Sequence, residues 1–177
     1  MPVFRMAGIA DCDSIVALVE SAYRGDVSRQ GWTTEADFLD GQRIDAEGVR
    51  ADIEKPDSCI LLAEQEGRLL ACCHLEKIGA ACYFGMFSVQ PHLQGSGIGK
   101  AMMQEAEHIA RNTWHCHAME MTVIDIRDEL IAFYQRRGYV RTGIKKPFPY
   151  GDARFGLPKR ADLQFEILRK PLLEVQP

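Results

Sequence analysis

The sequence predicts an α/β (α+β) layered domain, in which helices flank a mixed, mainly antiparallel central sheet. Three observations support this. First, three apolar segments follow one another at 58–65, 68–78 and 81–89, separated only by Glu66-Gly67 and Gly79-Ala80. Such spacing is the pattern of an antiparallel meander. Second, apolar residues at helical spacing bracket the meander, with Ile15, Leu18, Val19, Ala22 and Tyr23 before it and Ile98, Met102, Ala106, Ile109 and Ala110 after it. Third, Met119, Met121 and Val123 alternate along a further strand before helical spacing resumes at Leu130, Ile131, Phe133 and Tyr134. No repeat, low-complexity run or linker interrupts the 177 residues, so one domain over 1–177 is expected.

The elements follow in order. Residues 3–7 alternate and suit an edge strand, and Asp11 can cap the first helix. A polar loop covers 24–34. A second helical region is expected over 35–54, broken near Gly41, with Asp45 capping its second half. After the meander, a helix is expected from Gly97 to about Asn112, then the alternating strand, then a helix over 128–137 ending at Gly138. Residues 139–143 begin another strand, the run Pro147-Phe148-Pro149-Tyr150-Gly151 breaks it, and 163–170 form the last strand.

Composition narrows the function classes. A formal net charge of −4 without basic runs disfavours nucleic-acid binding. The N-terminus lacks the basic and long apolar regions of a signal peptide, and no apolar run reaches membrane-spanning length. The expectation is a soluble cytoplasmic protein with no membrane partner. None of the six cysteines forms a Cys-x-x-Cys pair, and adjacent Cys72 and Cys73 point to opposite faces of a strand, so reduced thiols are expected. His115-Cys116-His117 resembles a metal cluster but has no second ligand pair, so no metal is expected.

The chemistry concentrates at Val89-Gln90-Pro91-His92-Leu93-Gln94-Gly95-Ser96-Gly97-Ile98-Gly99-Lys100. Here a strand runs through a turn and three alternating glycines into a helix. The first amides of a helix lack carbonyl partners and sit at the positive end of its dipole. Glycines let an anion approach that backbone, which suits a phosphate or pyrophosphate. A nucleotide-hydrolase loop needs Ser or Thr after Gly-Lys, but Ala101 follows Lys100. A dinucleotide fingerprint needs two residues between its second and third glycines, and this chain has one.

Gln94-Gly95-Ser96-Gly97-Ile98-Gly99, led in by Phe87-Ser88-Val89-Gln90-Pro91, resembles the acetyl-coenzyme A loop of the GNAT superfamily of N-acetyltransferases. Phe133-Tyr134-Gln135-Arg136-Arg137-Gly138-Tyr139 is similar to a second segment of that family. The resemblance implies a GNAT-like fold and acetyl transfer from acetyl-CoA to a primary amine. It implies cofactor contacts from Phe87, Ser88, Val89 and the loop residues Gln94, Gly95, Ser96, Gly97, Ile98, Gly99 and Lys100, with Tyr134 beside the sulfur. The Phe87 and Val89 backbones would pair with the cofactor arm, and a β-bulge in their strand, permitted by Gly85, would aim amides at the thioester. Arg127 stands where the family commonly has asparagine and is a candidate for the same arm.

Such a reaction needs a neutral amine, and deprotonating a lysine-like amine at pH 7 costs roughly 4–5 kcal/mol. Glu76, Glu120 and Asp125 are the candidate bases. Tyr134 is the candidate acid, or a hydrogen-bond donor to the thiolate. Trp32, Glu35, Phe148 and Tyr150 fall in segments that line the acceptor pocket in this family, with Glu35 and Asp37 able to attract a cation. The same aromatics also suit a homodimer surface or a satellite core. A small-molecule amine is favoured over a protein substrate, because nothing suggests a peptide groove. The alternative on the same fold is a non-catalytic acyl-CoA-binding sensor or interaction module.

Overall fold

The structure is a computed structural model that describes residues 1–172; residues 173–177 of the expected domain lie outside it. Among the described residues nine strands form in chain order: β1 (Val3–Met6), β2 (Leu39–Asp40), β3 (Ser58–Gln65), β4 (Arg68–Ile78), β5 (Ala81–Val89), β6 (Ala118–Ile124), β7 (Val140–Pro147), β8 (Leu157–Pro158) and β9 (Gln164–Pro171). The α-helices are α1 (Cys12–Tyr23), α2 (Gly25–Ser28), α3 (Ala46–Glu54), α4 (Ile98–His108) and α5 (Asp128–Gln135). Seven strands make one sheet in the order β1-β3-β4-β5-β6-β9-β7, and β2 pairs with β8 in a separate ribbon. Neighbours run antiparallel except β5 and β6, which are parallel.

The meander forms with the expected boundaries because the strands are covered on both faces. Successive side chains alternate across a strand, so a strand covered on both faces reads as a continuous apolar run. Ile60, Leu62, Cys72 and Met86 pack against α1 and Val49 of α3. Leu61, Ala63, Ala71, Cys73 and Leu75 pack on the other face against Met102, Met103 and Ala106 of α4. Leu61 and Leu75 are 1% and 0% exposed, and burying each contributes about 1.5–3 kcal/mol.

Two expectations are corrected. The helix expected over 35–54 forms only as α3, where Asp45 does cap by accepting from the Gly48 amide at 2.8 Å. Upstream, Leu39 is 2% exposed in a cluster with Ile124, Phe148 and Leu163, and its segment forms β2 opposite β8. Gly41 has φ +76°, which ends any helical continuation. Asp11 stands at the N-cap of α1, but its carboxylate accepts from the Gly8 amide and from Arg5 rather than from that helix. Smaller differences are the short α2 inside the expected polar loop, a π-helical turn (Ile109–Thr113) closing α4, and the extension of β7 to Pro147.

Candidate active site

The site lies where β5 and β6 part. They pair only through Ala81–Tyr83 and Ala118–Glu120. Beyond those residues a cavity of about 260 Å³ opens between Gly85–Phe87 and Met121–Ile124, with Leu130 and Tyr134 of α5 at its wall. A bulge shapes the β5 side. His74 faces Gly85 and Cys72 faces Ser88, so Met86 and Phe87 together oppose Cys73. Met86 carries the twist in a left-handed conformation at φ 52°. The bulge therefore forms one residue beyond Gly85. Gly85 serves another purpose: a Cβ there would lie 2.5 Å from the Tyr83 ring, so its absence lets that ring lie across the strand.

The glycine loop follows β5 directly. Gly95 and Gly97 have φ 86° and 93°, and a Cβ built on either would have no neighbour within 4 Å. Their outer surface is open for a ligand to approach the backbone. Gly97 is the N-cap of α4, and the Ala101 amide reaches the Gly97 carbonyl at 3.1 Å, as the first helical hydrogen bond requires. The Ile98, Gly99 and Lys100 amides precede that bond and face the N-terminal end. Gly99 lies on the inner side, where a Cβ would sit 3.2 Å from the Phe87 ring.

Several expected cofactor contacts are directed elsewhere. The Gln94 side chain turns inward. It accepts from the Trp32 and Thr33 amides at 2.8 and 3.3 Å and donates to Thr33 Oγ1 and the Val89 carbonyl at 2.8 and 3.2 Å. The Phe87 carbonyl accepts from the Tyr23 hydroxyl. The Phe87 and Val89 carbonyls, expected to pair with a ligand, thus each hold a protein donor and keep one lone pair. Ser88 Oγ donates back to the Met86 carbonyl at 3.1 Å. Arg127, the candidate for the cofactor arm, lines the cavity but is 8% exposed and donates to protein groups, to Glu35 at 3.3 Å and to the Thr33 and Thr34 carbonyls at 2.7 and 3.3 Å.

Tyr134 does reach the cleft and is 4% exposed. Burial, then Tyr23 and Tyr139, push its phenol well above the ordinary value, so it stays protonated and keeps its hydroxyl as a donor. An aromatic series fixes it, with Trp32–Phe133, Phe133–Tyr134 and Tyr134–Tyr139 ring centroids 5.0, 5.3 and 5.8 Å apart. Trp32 therefore braces α5 from outside and does not line the cavity. Phe148 does line it. Tyr150 is a loop clasp, its hydroxyl accepting from the Leu163 amide and donating to the Arg160 carbonyl, both at 2.9 Å.

Glu35 lines the cavity but offers no free charge to a cation. Arg24 binds it at 2.5 Å and Arg127 at 3.3 Å. Burial raises its pKa, yet Arg127, Arg43 and Arg24 outweigh burial and hold it low, so it is ionised. Asp37 is bound to Arg29 at 2.9 Å. The three candidate bases are also engaged away from the cleft: Glu76 by Lys55, Glu120 by Arg169, and Asp125 by Lys145 at 3.1 Å.

A second cavity adjoins the first, sharing Arg43, Tyr83, Met86 and Phe155. His74 lies on it, with Nε2 2.8 Å from Ser58 Oγ. That hydroxyl donates to the Asp52 carbonyl at 2.7 Å, so it accepts from Nε2–H and leaves Nδ1 as the basic nitrogen. Burial lowers the His74 pKa, against Asp52 and Glu76, which raise it. Tyr23, Arg24, Arg43, Tyr83 and His74 belong to no motif. Tyr23 and His74 read from sequence as ordinary helix and strand residues, and the others as loop or strand polarity.

Residues 16–139 match the model of the Acetyltransferase (GNAT) family. The chain belongs to that family. One curated relative, the uncharacterized protein YdhI of Bacillus subtilis, is 29% identical over 75 residues, which are 42% of this chain and 45% of YdhI. The match thus spans less than half the length of that relative. A crystal structure of a putative phosphinothricin N-acetyltransferase has a TM-score of 0.71 at 18% identity, covering 98% of this chain and 100% of that one. The structure of yncA, a putative acetyltransferase from Salmonella typhimurium with its cofactor acetyl-CoA, has a TM-score of 0.66 at 18% identity, covering 100% and 97%. At these identities the likeness is one of fold. Among the described residues no group of three or more His, Cys, Asp or Glu is arranged around a common metal position, and no helix is long and apolar enough to cross a membrane.

Proposed function

We propose that this chain is an acetyl-CoA-dependent N-acetyltransferase acting on a small primary amine. The observation that carries the reading is one continuous path. An open glycine loop at a helix N-terminus leads along the bulged end of β5 to a buried tyrosine donor. Acetyl-CoA would supply an activated acetyl thioester there. The Ile98, Gly99 and Lys100 amides suit its phosphates, with the α4 dipole adding to the attraction. The bulged backbone at Met86–Phe87 suits a polarised carbonyl, where each fixed donor contributes about 2.7–4 kcal/mol.

Tyr134 holds its proton, so it stabilises the departing thiolate by a hydrogen bond rather than by full transfer. The candidate carboxylates Glu76, Glu120 and Asp125 are each ion-paired. Neutral His74, with Nδ1 available on the adjoining cavity, is the acceptor for the amine proton by way of water. The β2–β8 ribbon ties the acceptor-side loops together, which supports a small acceptor over an extended peptide.

A panel of primary amines with acetyl-CoA, read by free-thiol release and by mass of the product, tests this reading. Thiol release that depends on an amine, with an acetylated product, is expected. Acetyl-CoA binding without any amine-dependent release would instead identify an acyl-CoA-binding module.

A further inference from the structure

We infer that the acceptor is a small amine carrying an oxyanion, a carboxylate or a phosphonate, and that Arg43 is the residue that holds it. This rests on the N-acetyltransferase reading and names the substrate class of the same site. One buried carboxylate, Glu35, faces three guanidinium groups, those of Arg24, Arg43 and Arg127. Arg24 and Arg127 both spend their charge on Glu35. Arg43 makes no ion pair among the described residues, so the first cavity carries uncompensated positive charge. Arg43 is half-buried on the wall shared by the two cavities, so its guanidinium is open to an incoming anion.

Arg43 is also fixed in place. The Glu20 carboxylate accepts from both the Arg43 and Ile44 amides, which sets the loop. The guanidinium lies 5.6 Å from the centroid of the Tyr23 ring. The Tyr23 hydroxyl in turn donates to the Phe87 carbonyl at the bulge. Arg43 is thus tied through one aromatic side chain to the backbone where the acetyl group would be presented. A planar guanidinium can bind a carboxylate or phosphonate through two parallel hydrogen bonds and stacks on aromatic faces.

Among the described residues none of the nearby carboxylates, Glu20, Asp45, Glu47 or Asp52, makes an ion pair with the Arg43 guanidinium. Asp45 is occupied by the Gly48 amide and Gln42, and Asp52 lies beside His74 in the second cavity. Size agrees with charge. The first cavity, at about 260 Å³, is below the roughly 300–1,000 Å³ of pockets for drug-sized ligands. It suits an amine and an oxyanion separated by a few bonds, as in a free amino acid.

The test uses matched acceptors that differ only in the anion: L-methionine against 3-(methylthio)propylamine, L-phenylalanine against phenethylamine, and 2-aminoethylphosphonate against ethylamine. Values of kcat/KM for each, with acetyl-CoA as donor, are measured for the wild type, Arg43→Gln and Arg43→Lys. The wild type should prefer at least one anionic member by about 100-fold or more over its partner, the scale of a site whose charged group is otherwise unpaired. The pair that shows it separates carboxylate from phosphonate. Arg43→Gln should reduce that preference below about tenfold, and Arg43→Lys should restore part of it. The acetyl-CoA-induced rise in melting temperature should persist in both variants. If that rise occurs but the neutral amines serve equally well, or no anionic member is acetylated, or Arg43→Gln lowers both members of a pair alike, the inference is wrong while acetyl-CoA binding stands. If the wild type shows no rise and no turnover, the N-acetyltransferase reading fails and takes the inference with it.

Discussion

Gln94 offers a sharp test of how the two halves of the site are joined. Its side-chain amide makes four hydrogen bonds, with the Trp32 and Thr33 amides, Thr33 Oγ1 and the Val89 carbonyl, three of them at 3.2 Å or shorter. At about 1 kcal/mol net for each good bond and less for the fourth, Gln94→Ala should cost about 3 kcal/mol. Gly31 is what makes room for this amide, because a Cβ at Gly31 would sit 2.3 Å from Gln94 Oε1. Gly31→Ala should therefore expel the same amide and lose most of the same bonds. The backbone of Gly31 is not left-handed, so alanine adds little strain of its own. The two changes should then be strongly non-additive. Urea unfolding of both single variants and the double variant should give a coupling of about 2 kcal/mol, with the double variant near Gln94→Ala alone. Additive losses, or a cost below about 0.5 kcal/mol for Gln94→Ala, would refute the linking role.

Three further outcomes are expected. Tyr134→Phe removes a hydroxyl and keeps the ring, so turnover should fall about tenfold to a thousandfold with little change in acetyl-CoA affinity; unchanged turnover where chemistry is rate-limiting returns Tyr134 to a packing role. Arg127→Leu leaves the Thr33 and Thr34 carbonyls and part of the Glu35 charge uncompensated, and should cost about 3–5 kcal/mol in urea unfolding, with a loss below 1 kcal/mol arguing against the buried triad. Hydrogen bonds from Arg141, then Lys145, lower the Glu166 pKa from 4.5 to about 2. A carboxylate depressed by folding adds stability above its unfolded pKa and loses it as pH falls through its folded pKa. The wild-type urea midpoint should therefore fall between about pH 4.5 and 2, and Glu166→Gln should be weaker at neutral pH with a shallower fall.

What was legible in the sequence was local. The meander could be placed because Glu66-Gly67 and Gly79-Ala80 are turn signals within the strands' own neighbourhood. The glycine loop and Asp45 cap are equally short-range. The helix expected over 35–54 does not form in its first half because Leu39 answers to residues far along the chain, pairing with Pro158 and packing beside Phe148. Local propensity yields to such burial. The same holds at the site. Arg127 meets Glu35 across 92 positions, and Gln94 meets Thr33 across 61. No pattern of spacing announces contacts of that kind. Tyr134 was placed through family likeness, since its helical periodicity alone describes a core residue. Arg43 and Tyr23 carried no signal, because a loop arginine and an aromatic on an apolar helix face are ordinary features.

The central claim is that the loop at Gly95–Gly99 and the parted ends of β5 and β6 hold acetyl-CoA. Thermal unfolding with and without acetyl-CoA tests it most directly, on the wild type and on Gly97→Val. Gly97 has φ +93° and faces open space, so valine strains the backbone and covers the loop amides. At 100 times the dissociation constant, acetyl-CoA should stabilise the wild type by about 2.7 kcal/mol, while folded Gly97→Val should gain little at the same concentration. A wild-type melting curve unmoved by saturating acetyl-CoA, or an equal gain in both proteins, would contradict the account.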